Sequence, residues 1–329
     1  MIAALTTGAV AGVGMGFVLH RGQLCFHSAI DGGWDGRFLL VRAWALAVSL
    51  GAVGLSLLFL LPGTGGLSRG LPFTPVANVA GGLLVGAGMA VARSCVSGLF
   101  HKLGAGMLGC LAGLVGWAGG ELLARQVSVP GPTVLGGGEA GTIPSVLGLP
   151  RLAVALVVLA AVGLWPRHRP GHLRPEHVWQ WGWRRTGAAL GFVLVAGWVL
   201  AALGGTGFGP STVGAVAGIA DGSPNTWLVA FLVGMVGGGT LSARTGGGGV
   251  HVRGESPLRY GRLALGGVLL GAGGWIAGGC NLGHGLSGMA QLNVSSVVVV
   301  AAMALGVGAT RVLTGRHSRV APSTTTMPG

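Results

Sequence analysis

Apolar residues gather in nine long runs along the chain, at roughly 2–20, 37–61, 76–93, 104–124, 151–165, 186–204, 225–243, 258–278 and 293–313. Polar and charged residues gather in the gaps between them. A helix needs about 20 apolar residues to cross a bilayer, and most of these runs have that length. The run at 151–165 is shorter. The pattern predicts an all-α polytopic membrane protein with about nine transmembrane helices. The first run has no basic residues ahead of its apolar stretch, so Met1–Leu19 reads as a span and not as a cleaved signal.

Composition strengthens this. Only 8% of the 329 residues are charged and 51% are hydrophobic, with a mean hydropathy of +0.73. A soluble domain carries about 25% charged residues, so a soluble enzyme is excluded. The chain also holds 69 glycines. They follow no Gly-X-Y period, which excludes collagen, and they are interleaved with Leu, Val and Ala. Glycine inside apolar helices lets backbones approach closely and lets helices break where a cavity is lined.

The net charge is +13. Basic residues mark the cytoplasmic side of membrane proteins, so their distribution tests the topology. The gap between the fifth and sixth runs carries Arg167, Arg169, Arg174, Arg184 and Arg185. With that gap in the cytoplasm, alternation places 17 of the 20 Lys and Arg residues inside. Arg69, Arg125 and Arg151 remain outside. The split supports nine spans, N-terminus outside and C-terminus cytoplasmic. It also accounts for the basic excess without nucleic acid. The expected organisation is one membrane domain over 1–319 with repeat halves near 1–125 and 186–313. A linking span and a basic cytoplasmic loop at 150–185 join them. The three tryptophans of that loop suggest an interfacial segment, and the polar tail 320–329 reads as disordered.

Two stretches repeat one another. Gly81-Gly82 leads through Gly86-Ala87-Gly88 and Ala92 to Cys95, and Gly266-Gly267 leads through Gly271-Ala272-Gly273 and Ala277 to Cys280. The third and eighth spans that carry them run in opposite directions. That is the mark of an inverted-topology repeat, in which broken helices meet near the bilayer midplane. A weaker pair couples Gly12–Gly16, followed by Cys25, with Gly234–Gly238, followed by Gly246–Gly249. The expectation is that Gly-rich loops dip to the centre and bring Cys25, Cys95 and Cys280 onto a central path.

Buried cysteines often only fill space, and Cys110, mid-span with no motif, reads that way. The repeat placement of the other three argues for function. Arg21 and Arg93 precede two of them, and no acidic residue lies close to Cys95 or Cys280. Helix breaks also expose backbone N–H groups, which favour anions. The arginines read equally well as cytoplasmic anchors. His27, His101 and His284 follow the cysteines at unequal spacings, with no compact ligand set for a metal. Asn281 and Ser287 either hydrogen-bond a substrate or brace their own loop. No cofactor motif is present, and Gly246–Gly249 lacks the lysine of a phosphate-binding loop.

The residues Gly-Phe-x-x-x-Arg-Gly-x-x-Cys-Phe at 16–26 and Gly-Gly-Cys-Asn-Leu-Gly-His-Gly-Leu-Ser-Gly at 278–288 resemble the YeeE/YedE family of sulfur-compound membrane transporters. The resemblance runs from about residue 8 to about 313. It implies an inverted-repeat fold of nine spans and import of thiosulfate or a related small sulfur anion. It also implies a relay in which Cys25, Cys95 and Cys280 pass the ion by S–H hydrogen bonds, with Arg21, Arg93, Asn281 and His284 in support. In some relatives the partner is a small cytoplasmic sulfur carrier of the TusA type. The chain departs from the family where Arg93-Ser94 precedes Cys95, a place where glycine is expected. Two alternatives stand beside this reading. One is a membrane-embedded thiol enzyme that forms a cysteine persulfide, and the other is a soft-metal or selenium-compound transporter.

Overall fold

A computed structural model describes residues 1–62, 64–68, 70–165, 180–246 and 249–315. The basic stretch holding Arg167, Arg169 and Arg174, with Trp179, and the tail 320–329 lie outside the described residues. Among those described there is no strand, only three isolated β-bridges. The helices in chain order are α1 (Ile2–Arg21), α2 (Phe26–Trp34), α3 (Leu39–Leu58), α4 (Pro75–Ala92), α5 (Val96–Gly104), α6 (Gly109–Ala124), α7 (Ile143–Leu147) and α8 (Arg151–Leu164). They continue with α9 (Trp183–Leu203), α10 (Ala215–Ala220), α11 (Thr226–Thr245), α12 (Pro257–Ala277) and α13 (Val294–Leu313). A π-helical turn, Gly283–Gly288, follows α12.

By length and apolarity, six segments of the described residues can cross a membrane: Ile2–Trp34, Leu39–Leu58, Pro75–Gly104, Trp183–Leu203, Thr226–Thr245 and Val294–Leu313. Two of the six are helices interrupted at a cysteine, α1 with α2 and α4 with α5. Helix α12 matches the others in length, but Arg259 and Arg262 near its start make it less apolar. Helices α6 and α8 are apolar and shorter, 16 and 14 residues. The short α8 packs along α3 and buries only Ala155.

Glycine sets how the long helices meet. In α1 a Cβ on Gly12 would collide with the Phe231 carbonyl of α11, and one on Gly234 with the Ala9 carbonyl of α1. The same exchange joins α4 and α12. A Cβ on Gly81 would lie 2.5 Å from Ala277 N, and one on Gly266 would lie 2.6 Å from Ala92 N. Such backbone-to-backbone contact draws its energy from close packing, since lipid supplies no hydrophobic drive between helices. The two stretches alike in sequence therefore lie antiparallel and touch through equivalent residues.

Ion pairs tie the helix ends. Arg311 on α13 reaches Asp31 at 2.6 Å and Asp35 at 2.5 Å, and Asp35 also pairs with Arg37 at 2.8 Å. Arg125 at the end of α6 meets Asp221 after α10 at 2.5 Å. Arg21, Lys102, Arg253 and Arg311 all lie toward one face of the bundle, where α12 begins. That face is called the Arg-rich face below.

Two glycines of α6 give a direct test. A Cβ on Gly116 would sit against the Ala264 carbonyl, whereas one on Gly119 meets nothing within 4 Å. Gly116→Ala is expected to destabilise the detergent-solubilised protein by about 1–3 kcal/mol, the usual cost of overpacking. Gly119→Ala should leave the melting temperature unchanged or raise it. Equal melting of the two variants would remove the packing argument.

Candidate functional site

Each of three cysteines stands where a long helix breaks and the backbone restarts. Helix α1 ends at Arg21, the chain turns through Gly22–Leu24, and Cys25 opens α2. Helix α4 ends at Ala92, and Arg93 takes the left-handed conformation with φ 51° and ψ 36°. Cys95 then opens α5. Helix α12 ends at Ala277, Gly278 takes φ 75° and ψ 14°, and Cys280 precedes the π-helical turn. All three thiols are free and buried.

The first two breaks meet. The Cys25 and Cys95 sulfurs lie 3.4 Å apart, and the Cys95 backbone N–H donates to Cys25 Sγ at 3.3 Å. Gly98 leaves the room for this, since a Cβ there would lie 3.2 Å from one sulfur and 3.3 Å from the other. Cys95 Sγ is 3.3 Å from Ser97 Oγ. Asn281, the neighbour of Cys280, donates from Nδ2 to the same Ser97 oxygen at 2.8 Å. One polar chain, Cys25–Cys95–Ser97–Asn281, thus joins all three breaks. Cys280 Sγ has partners of its own: it accepts from Thr212 Oγ1 at 2.8 Å and from Leu282 N–H at 3.3 Å.

The residues expected in support divide. Asn281 sits in the polar chain. Arg93 is exposed at its helix break, and a non-glycine left-handed residue costs about 1–2 kcal/mol. Arg21 stands apart from the sulfurs. Its guanidinium donates to Thr245 at 2.7 Å and lies over the Phe17 ring, which joins the ends of α1 and α11. His284 is committed to the backbone. Its Nε2 bonds the Ala277 carbonyl and its Nδ1 bonds Ser296 Oγ, both at 2.9 Å. A carbonyl only accepts, so Nε2 carries the proton and the ring braces the end of α12. Cys110 lies in α6, with no partner among these groups.

Sequence reasoning passed over Ser97 and Thr212. Ser97, two residues after Cys95, was within reach of a motif search. Thr212 sits in a loop whose sequence carries no such mark. Glu121, fully buried, holds that loop: its Oε1 accepts from Gly214 N at 2.9 Å and Ala217 N at 3.2 Å. Asp31 and Asp35, the carboxylates nearest Cys25 in sequence, are taken up by Arg311 and Arg37. Among the described residues, no three His, Cys, Asp or Glu side chains gather as a metal would need. A cavity of about 270 Å³ opens on the face opposite the Arg-rich one. Trp198, Ser211, Gly278, Ser287, Gln291 and Asn293 are among its walls, and none of its lining residues is charged. Its wall includes the neighbours of Thr212 on both sides.

A bundle of apolar helices, two of them broken at buried cysteines that touch, narrows the comparison to membrane proteins. The sulphur transport family model matches residues 21–309. The chain belongs to this family. It is a multi-pass membrane transporter of the sulphur-compound class and not an enzyme. A relative from Spirochaeta thermophila, a thiosulfate transporter named TsuA, is 30% identical over 316 residues, covering 88% of this chain and 93% of the relative. The thiosulfate transporter TsuA of Escherichia coli is 26% identical over 337 residues, covering 93% of this chain and 94% of its own. Transport replaces the thiol-enzyme alternative.

His284 yields a prediction that separates bracing from binding. His284→Ala strips Ser296 and the Ala277 carbonyl of a buried partner, which costs about 1–3 kcal/mol. The expected result is a lower melting temperature with an unchanged KM for uptake in the folded fraction. A raised KM at unchanged stability would make His284 a substrate ligand instead.

Proposed function

We propose that this transporter imports thiosulfate, or a closely related small sulfur anion, across the bacterial inner membrane along its three cysteine breaks. The observation that carries the reading is the buried polar chain from Cys25 through Cys95 and Ser97 to Asn281. The ion enters by the uncharged cavity, meets Cys280 first, and passes Cys95 and Cys25 to leave at the Arg-rich face. That face is cytoplasmic by the basic-residue rule, with the N-terminus outside and the C-terminus inside. Helices α4 and α12, which touch through equivalent residues, are the crossing point of an inverted repeat.

The chemistry suits a dianion that must keep moving. A neutral thiol offers a weak S–H donor and no repulsion. In the resting state these donors partner one another, so the ion exchanges one weak set of bonds for another. Conduction requires sites weak enough to leave. The sulfur atoms change no covalent bond in this scheme. Arg93, exposed at its break, draws the ion toward the release side. A TusA-like cytoplasmic sulfur carrier is the recipient that the family resemblance implies.

The test is growth on thiosulfate of a bacterium that lacks its own thiosulfate importers. Wild-type chain should restore growth, whereas Cys95→Ala and Cys280→Ala should not, at equal membrane insertion. The intact mass of wild-type protein after thiosulfate exposure should be unchanged. A gain of one sulfur would indicate persulfide chemistry, and growth with either alanine variant would end the relay.

Arg93 separates strain from function. Arg93→Gly relieves the left-handed backbone and is expected to stabilise the protein by about 1 kcal/mol. Thiosulfate uptake by the same variant should fall. Full uptake in the stabilised variant would remove Arg93 from the pathway.

A further inference from the structure

We infer that Thr212 is a fourth member of the relay, the positional counterpart of Cys25, and that it orients the Cys280 thiol toward the ion. This rests on the transport reading above. The helices fall in the same order twice: α1, α2, α3, α4, α5, α6, and then α9, α10, α11, α12, the π-helical turn and α13. Their contacts exchange accordingly. Helix α1 packs on α11, and α3 packs on α9. Helix α4 packs on α13, and α12 packs on α6. Single residues follow. Gly82 abuts Val299 as Gly267 abuts Gly113, and Gly86 abuts Met303 as Gly271 abuts Trp117. The left-handed residues also pair, Arg93 with Gly278 and Gly106 with Leu292.

This correspondence puts Cys95 opposite Cys280, as the sequence repeat does. It puts α3 opposite α11, from Leu39–Leu58 to Thr226–Thr245, and the same register carries Cys25 onto Thr212. The hydrogen bonds obey it: Cys25 meets Cys95 at 3.4 Å, and Thr212 meets Cys280 at 2.8 Å. The sequence pairing of Gly12–Cys25 with Gly234–Gly249 is thereby replaced. Helices α1 and α11 touch as neighbours across the local two-fold, while the counterpart of the Cys25 turn is the stretch Gly209–Thr212. The segment from the end of α9 to Thr212 is longer than that from the end of α1 to Cys25, and a hydroxyl stands where a thiol would. Both changes hide the match from sequence comparison.

The geometry gives the hydroxyl a task. Thr212 is fully buried, and its O–H points at Cys280 Sγ, which also accepts from Leu282 N–H. With two donors on the sulfur lone pairs, the Cys280 S–H must donate elsewhere. The cavity wall beside it, Ser211 on one side and Gly283 on the other, is where the ion arrives. Thr212 is therefore a positioning residue that acts through Cys280.

The experiment measures uptake of radiolabelled thiosulfate into proteoliposomes containing the full chain, with KM and maximal rate separated. T212V keeps the shape and removes the donor. It should reduce maximal rate over KM by about tenfold, the worth of one buried hydrogen bond. T212S and T212C each restore a donor and should transport within about twofold of wild type. Melting temperatures of all three should stay close to that of wild type. Wild-type transport by T212V would overturn the inference, as would equal failure of T212V, T212S and T212C. Absence of thiosulfate uptake by the wild-type chain would instead overturn the transport reading on which the inference rests.

Discussion

A helix that breaks inside a membrane leaves carbonyl and amide groups that lipid cannot satisfy. Broken backbone survives there only when protein surrounds it. The rest of this structure follows from that constraint. At the end of α12 the freed Ala277 carbonyl accepts from His284 at 2.9 Å and from Asn78 at 3.1 Å. The Pro210 carbonyl accepts from Ser287 at 2.7 Å, and Gly104 from Thr240 at 2.8 Å. Each of these partners comes from another element, so the breaks exist only because the helices crowd together. The glycine crossings of α1 with α11 and α4 with α12 make that crowding possible. Close packing and the thiol site are thus one feature seen from two sides.

Carboxylates are kept away from the thiols by the same economy. The carboxylates that follow Cys25 are locked by Arg311 and Arg37 at one face, and Glu121 is spent on the start of α10. The sulfurs are left among hydroxyls, amides and one another. A cation approaches them, Lys102, whose Nζ donates to Ser94 Oγ at 3.3 Å beside Cys95.

Much of this was legible in the sequence, and the reasons differ by feature. The apolar runs mark the long helices because lipid demands length and apolarity, and both survive in composition. The Gly81–Cys95 and Gly266–Cys280 repeat was visible because close packing needs glycine at fixed spacing. The short helices α2 and α5 were read as loops, since nine residues with two or more polar ones carry too little pattern. The role of His284 depends on which atoms its ring nitrogens reach, and spacing does not encode that. The run Arg93-Ser94 departs from the glycine expected before Cys95, but only the backbone shows that Arg93 bears the left-handed conformation. Thr212 was invisible because its loop has a different length and its oxygen replaces a sulfur.

The uncharged cavity has a consequence for selectivity by hydration. About 270 Å³ gives room for an ion together with several waters, while Cys280 beyond it is fully buried. Under the proposed function, the ion sheds its water shell at a single place, the cavity floor. Discrimination among sulfur anions then becomes a comparison of dehydration costs set against the same few weak donors. A terminal sulfur holds water less tightly than an oxygen does. A floor of thiol and hydroxyl groups thereby admits thiosulfate more readily than an anion whose exposed atoms are all oxygen.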